Sequence, residues 1–188
     1  VILSGQGVII SGAEAAVRRL AEQAHIPVAT TLLGIGGFPA SHPLSLGMMG
    51  MHGEAWVNTA IQEADLILAL GMRFDDRVTG NLKTYAPNAK KIHVELDPAE
   101  VNKNVKVDLA LLGDLRETLR LLVPQVERPQ IDEWVEHIES LKGDSAVRDI
   151  REMPDDGRLF AAHVIHDLWR YTDGKALVVT DVGQHQMW

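Results

Sequence analysis

The chain has 188 residues, of which 46% are hydrophobic, with a formal net charge of -8, a pI near 5.4 and no cysteine. That length buries one full core and part of a second. The acidic balance repels nucleic acid and anionic membrane, leaving a small molecule as the expected ligand. The missing thiols exclude disulfides, thiolate metal sites and cysteine nucleophiles. No apolar run reaches the roughly 20 residues that span a bilayer, and no basic-then-apolar leader opens the sequence, so a soluble, cytoplasmic protein is expected. Val1 stands inside an apolar strand and Trp188 follows directly on a polar motif, which reads as a piece of something longer.

Val1 to Leu3 predicts a buried strand, Ser4 to Gly7 a glycine turn, and Ser11 an N-cap for a helix through His25, with Ala13, Ala16, Val17, Leu20, Ala21 and Ala24 on its inner face. Strand, glycine turn and helix in that order suit a phosphate. A G-x-G-x-x-G fingerprint would need a third glycine where Ile10 stands, and no acid follows the second strand, where Thr30 and Thr31 stand, so the usual NAD signature fails. Val28 to Thr31 is extended. Gly34 to Gly53 predicts a long irregular segment with Met48, Met49, Met51 and His52, and two readings stand for it: a flexible wall for a flat aromatic ligand, or methionines plugging irregular core space.

Glu54 to Ala64 predicts a helix with Trp56, Val57, Ala60 and Ile61 inward. It delivers the chain to Leu66–Leu70, apolar throughout, as a parallel strand buried on both faces would be. Behind Gly71 comes the polar cluster Arg73, Asp75, Asp76 and Arg77, closed by Val78, Thr79 and Gly80. A solvated salt-bridge loop is one reading, and a ligand loop at a strand's carboxyl end is the other. Lys91 to Leu96 predicts the next strand, with Glu95 and Asp97 at its end, and Val105 to Leu112 another. Asp114 then caps a helix from Leu115 to Val126.

Strands and helices alternating in this way predict an α/β fold with a doubly wound parallel sheet. After Glu127 to Gln130 comes an amphipathic helix from Ile131 to Lys142, then a charged run from Gly143 to Gly157 that looks like an interdomain connection. Arg158 to Tyr171 predicts a helix and Lys175 to Thr180 a strand that opens a second α/β domain. His163, His166 and Asp167 are conceivable metal ligands, but the structural reading on an amphipathic helix is preferred and no metal site is assigned. No zinc-protease, P-loop or serine-hydrolase motif occurs.

Taken in order, TTLLGIGGFP (30–39), GMMGMHG (47–53), ADLILALGMRFDDRVTG (64–80), HVELDPAEVNKN (93–104), Gly113-Asp114 and TDVGQHQMW (180–188) resemble the large catalytic subunit family of acetohydroxyacid synthase, or acetolactate synthase. The resemblance implies a central FAD-binding domain over 1–128, a linker over 129–156 and the opening of a thiamine-diphosphate domain over 157–188. It implies FAD contacts at Gly5, Gly7, Thr31, Leu32, Met51, His52, Gly71, Met72, Arg73, Asp75, Arg77, Val78, Glu95, Gly113 and Asp114. Arg73 and Arg77 would offer guanidinium forks to the diphosphate and flavin edge, Glu95 and Asp114 would hold ribityl, ribose or adenine groups, and Asp76 and Arg77 would lie near a substrate entrance.

Thiamine diphosphate would meet Val182, Gly183, Gln184 and His185. The family's magnesium motif runs from Gly-Asp to an asparagine, and none follows Asn104, so the Mg2+ ligands and the activating glutamate fall outside this sequence. The implied parent is a transferase of branched-chain amino acid biosynthesis that takes 2-keto acids, with FAD in a structural role. It would be a homo-oligomer, with or without a small regulatory subunit, and this piece alone is expected to be inactive. A related carboligase such as glyoxylate carboligase, and a non-catalytic NAD or nucleotide module, are the alternatives.

Overall fold

A computed structural model describes residues 1–142, 156–183 and 185 and divides the chain into two compact units, Val1–Leu141 and Lys142–Trp188. Six short segments of the first unit become strands: β1 (Ile2–Ser4), β2 (Val28–Thr30), β3 (Ser45–Met48), β4 (Leu66–Leu70), β5 (Lys90–Glu95) and β6 (Leu109–Leu112). All pair in parallel, in the order β3-β2-β1-β4-β5-β6. The expected α/β doubly wound sheet is therefore the observed one.

Alternation along the strands sends side chains to two cores. Ile2, Val28, Leu68, Leu70 and Val94 meet Val17, Leu20 and Ala21 of α2 (Glu14–Ala24) and Leu115 and Leu119 of α5 (Leu115–Leu122). Leu3, Ala29, Ile67 and Ala69 meet Val57, Ala60 and Ile61 of α3 (Ala55–Glu63) and Ile138 of α6 (Asp132–Leu141). Helix α6 follows the predicted Ile131 to Lys142 span and packs on α3, within the first compact unit.

Several expectations are corrected. Ser11 does not open the long helix. It closes a five-residue helix, α1 (Gln6–Ile10), its hydroxyl donating to the Gly7 carbonyl at 2.7 Å, and α2 starts beyond Gly12 with Ala13 as a cap that lends no side-chain bond. The segment 34–53 is not wholly irregular, because β3 lies inside it. Ser-Leu-Gly-Met has little strand propensity, so pairing with β2 supplies the structure, and Gly47, at φ +91, lies where the register shifts.

The last strand begins at Leu109 rather than Val105, and α5 ends at Leu122 in a tighter turn over Val123–Gln125. In the second unit α7 (Ala161–Thr172) forms, but Lys175 to Thr180 makes no ladder among the described residues, and Leu177 and Val179 are 98% and 94% exposed. Strand propensity without a neighbour to bond yields only extended chain. The charged run 143–155 lies outside the described residues. Among the described residues no helix is long and apolar enough to cross a membrane.

Asp108 pins the edge of the sheet. Its Oδ2 accepts from the Lys91 N–H at 2.8 Å, its Oδ1 from Lys90 Nζ at 3.2 Å, and its own N–H donates to the Lys91 carbonyl at 2.9 Å. The bonds from the Lys91 amide and the Lys90 ammonium hold its pKa below the ordinary 3.8. A lowered folded pKa gives stability that is present above the unfolded value and lost as pH falls through the folded one. Asp108→Asn is therefore expected to flatten the acid end of the stability profile, below about pH 4, measured by urea unfolding at stepped pH.

Candidate functional site

The chain leaves β1 toward β2 on one side and β4 toward β5 on the other, so the carboxyl ends of these neighbouring strands form the switch point where ligands of open α/β sheets bind. Here backbone meets backbone. The Gly5 N–H donates to the Leu70 carbonyl at 3.0 Å and the Gly7 N–H to the Gly71 carbonyl at 2.9 Å. A Cβ on Gly5 would stand 2.3 Å from the Gly71 oxygen, one on Gly7 2.7 Å from the Gly71 Cα, and one on Gly71, at φ +57, 2.7 Å from the Gly7 Cα. Glycine is required at all three.

Above this contact lies a crevice of about 690 Å³. It is lined by Gly7, Thr31, Leu32, Gly71, Met72, Arg73, Asp75, Arg77, Val78, Glu95, Gly113 and Asp114, twelve of the residues singled out from the sequence. Gly5, Met51 and His52 are not in the lining. Gly5 is packed beneath Gly71, and Met51 hangs off α4 (Asp76–Thr79) through its N–H to the Arg77 carbonyl at 2.8 Å, its side chain 58% exposed. His52 keeps an enclosed Nδ1 with no hydrogen bond.

Three carboxylates in the lining are held by backbone, and a fourth, Glu100, accepts from Lys103 Nζ at 2.7 Å. Asp75 caps α4, accepting from the Arg77 N–H at 3.0 Å, and Asp114 caps α5, accepting from the Glu117 N–H at 3.0 Å. Glu95 Oε1 accepts from the N–H groups of Leu96 at 2.8 Å and Asp97 at 3.2 Å. The cations are looser. Arg73 Nε reaches Asp75 Oδ2 at 3.1 Å and Arg77 stands 3.9 Å from Asp76, with the two arginine side chains 66% and 68% exposed. Exposed pairs of this kind contribute about 0 to 1 kcal/mol, so an anion in the crevice can recruit both guanidinium forks cheaply.

Sequence reasoning missed part of the lining. Ile10 and Ser11 join Gln6 and Gly7 at the i, i+4 spacing of a helix face, a signal hidden by reading Ser4 to Gly7 as a turn. It also missed His93. Fully buried on β5, His93 bonds through Nε2 to the Met72 carbonyl at 2.8 Å and packs edge-on against Phe74, with ring centroids 5.1 Å apart. It thereby braces the loop that carries Arg73 from beneath.

In the second unit Val182 is 84% exposed and the would-be Cβ of Gly183 lies 2.9 Å from His185 Nδ1, while Gln184 is outside the described residues. His166 stacks on Trp169 at 5.7 Å, His163 lies edge-on to Phe160 at 5.4 Å, and Asp167 pairs with Arg170 at 3.2 Å. Among the described residues no three His, Cys, Asp or Glu side chains are grouped to hold a metal ion.

The family described as "Thiamine pyrophosphate enzyme, central domain" matches residues 1–122. The chain belongs to this family. Among similar proteins, the "probable acetolactate synthase large subunit" of Methanocaldococcus jannaschii is 45% identical over 100% of this chain and 33% of its own length. The acetolactate synthase large subunit of Corynebacterium glutamicum is 43% identical over 100% of this chain and 30% of its own. The X-ray structure of a "putative thiamin diphosphate-dependent enzyme" from Mycobacterium smegmatis superposes with a TM-score of 0.56 at 25% identity, covering 69% of this chain and 25% of that one. The chain spans about a third of the length of these curated relatives.

Two substitutions test the architecture of this central domain. Gly71→Ala is expected to cost about 3 kcal/mol through backbone overlap and positive φ together, against about 1 kcal/mol for Gly12→Ala, where φ is +64 and the space is open. Urea midpoints compare them. His93→Ala is expected to speed amide exchange in the 71–75 loop more than in α2, because Met72 loses its donor, as read by hydrogen–deuterium exchange.

Proposed function

We propose that the crevice holds FAD and that the chain is the central part of an acetolactate synthase large subunit. The observation that carries the reading is the glycine-floored crevice itself. Gly7 and Gly71 bring peptide backbone to its base, two exposed guanidinium forks stand at its side, and 690 Å³ lies within the roughly 300 to 1,000 Å³ of cofactor pockets. The donor set suits a dinucleotide: Arg73 and Arg77 for the diphosphate, and Glu95 and Asp114, each with one oxygen tied to backbone, for hydroxyl or amine groups. Leu32, Leu33 and Ile10 supply an apolar wall for a flat ring. The sheet order is that of dinucleotide-binding domains, which adds support.

In the whole enzyme thiamine diphosphate, with Mg2+, would supply an electron sink for decarboxylating pyruvate and joining the remaining two-carbon unit to a second 2-keto acid. This chain's own residues would bind and orient. The Arg73 and Arg77 forks would hold the flavin nucleotide, the caps at Asp75 and Asp114 fix the loops that would meet it, and Val182, Gly183, Gln184 and His185 would supply contacts to the thiamine diphosphate phosphates. FAD would be a wall of the site rather than a redox group. A homo-oligomer with a small regulatory subunit, working in the cytoplasm, completes the proposal.

Titrating the chain with FAD, followed by flavin fluorescence, tests the assignment. Saturable binding is expected, weakened about tenfold or more by Arg73→Ala, because a charge-assisted bond to a phosphate contributes about 1.5 to 3 kcal/mol. Unchanged affinity in Arg73→Ala, or binding of NAD with no response to FAD, overturns it.

A further inference from the structure

A second cavity, of about 390 Å³, lies between α2 and α5 and shares no lining residue with the crevice. Its floor is apolar and rigid. Leu119 and Val123 are buried in the core beneath it, and Ala15, Ala16 and Pro124 complete the lining. Gln23 ties its two walls together, donating through Nε2 to the carbonyls of Val123, at 3.2 Å, and Val126. Gly12, at φ +64 with nothing within 4 Å of its would-be Cβ, leaves the mouth open.

Three arginines, Arg19, Arg116 and Arg120, stand around this floor, in a chain whose acidic residues outnumber its basic ones by 26 to 18. Their pairing is uneven. Arg120 Nε donates to Glu117 at 2.9 Å, and on the neighbouring face of α2 Arg18 pairs with Glu22 at 2.8 Å. Arg19 and Arg116 make no ion pair among the described residues. Two arginines without an ion pair among the described residues and a third held by Glu117, all lining an apolar hollow, match an anion of more than one charge that carries an apolar body. Planar forks of this kind are suited to phosphate.

We infer that the groove between α2 and α5 is a binding site for a phosphate ester with an apolar body, separate from the strand-end crevice. The phosphate takes the forks of Arg19 and Arg116, and the body lies on Ala16, Leu119 and Pro124. The volume of the hollow, within the range of ligand pockets, favours a small molecule over a protein surface. Because the groove lies on the layer that covers one sheet face, occupancy would clamp α2 to α5 without blocking the switch point.

The test is calorimetric titration of the chain with 1-naphthyl phosphate, with inorganic phosphate alone as the comparison. One saturable site is expected for the naphthyl ester, with inorganic phosphate weaker by about tenfold or more for want of the apolar floor. Arg116→Ala is expected to weaken the ester about tenfold, and Arg19→Lys to weaken it less, keeping the charge and losing the fork. Both side chains are exposed, and circular dichroism melts check that the variants fold. Saturating FAD and Arg73→Ala are expected to leave the ester's affinity unchanged, which separates this site from the flavin assignment. Absence of a saturable site, affinity unchanged in Arg116→Ala, or displacement by FAD overturns the inference.

Discussion

The close approach of Gly7 to Gly71 sets what the carboxyl end of this sheet can be. Each would-be Cβ there falls 2.7 Å from the opposite Cα, so the ends of β1 and β4 meet through peptide groups alone. Gly5 lies against the Gly71 carbonyl, and Gly34, after β2, presses on the carbonyl of Ser4 in the same way, with its would-be Cβ at 2.3 Å. Three loops thus converge more tightly than any side chain would allow. The floor they make is polar backbone with its N–H groups already bonded, at 3.0 Å for Gly5 and 2.9 Å for Gly7, so it is rigid as well as bare. A bulky ligand can come down onto it, and the polar groups around the rim are fixed with reference to it.

How far the sequence disclosed this follows from which forces were local. DLILAL announced β4 because burial from Ile67 to Leu70 on both faces leaves an unbroken apolar run, with Leu66 alone exposed, and the spacing of Val57, Ala60 and Ile61 announced α3 because one face of a helix meets the core. Asp114 was legible as a cap because the bond it makes is three residues away. What was hidden depended on partners far along the chain. β3 owes its form to β2, with Thr30 level with Met48 in the ladder, and α1 is one short turn and a half whose glycine start mimics a turn. His93 looked like one more residue of a buried strand, and only the fold brings Met72, twenty-one positions away, within 2.8 Å.

The same distinction orders the crevice chemically. Three of its acceptors are stiff: Asp75, Glu95 and Asp114 each spend an oxygen on nearby backbone N–H groups, at 3.0, 2.8 and 3.0 Å, so their positions are set when the loops fold. Its donors are compliant, since Arg73 and Arg77 are mostly exposed and held by pairs that solvent screens. Rigid acceptors recognise groups whose positions are fixed, such as ring edges and sugar hydroxyls. Flexible cations suit a diphosphate, whose charge is spread over several oxygens and tolerates more than one approach. Ordering two long side chains on binding carries an entropic cost of about 0.5 to 1.5 kcal/mol each, and charge-assisted bonds to phosphate exceed it.

Bracing from below makes that compliance useful. Arg73 can swing, but the peptide from which it swings is held on one side by Gly7 and on the other by His93, so the arc it sweeps starts from a fixed point. A loop free at both the backbone and the side chain would dissipate the binding energy of the anion in ordering itself. A buried imidazole is well suited to the task, because it fills volume against Phe74 and still satisfies a carbonyl that would otherwise be enclosed without a donor. An apolar residue of the same size would keep the packing and leave the Met72 carbonyl unpaired. The bond to the Met72 carbonyl is what histidine adds at that point over an apolar residue, at the cost of an enclosed Nδ1 with no hydrogen bond of its own.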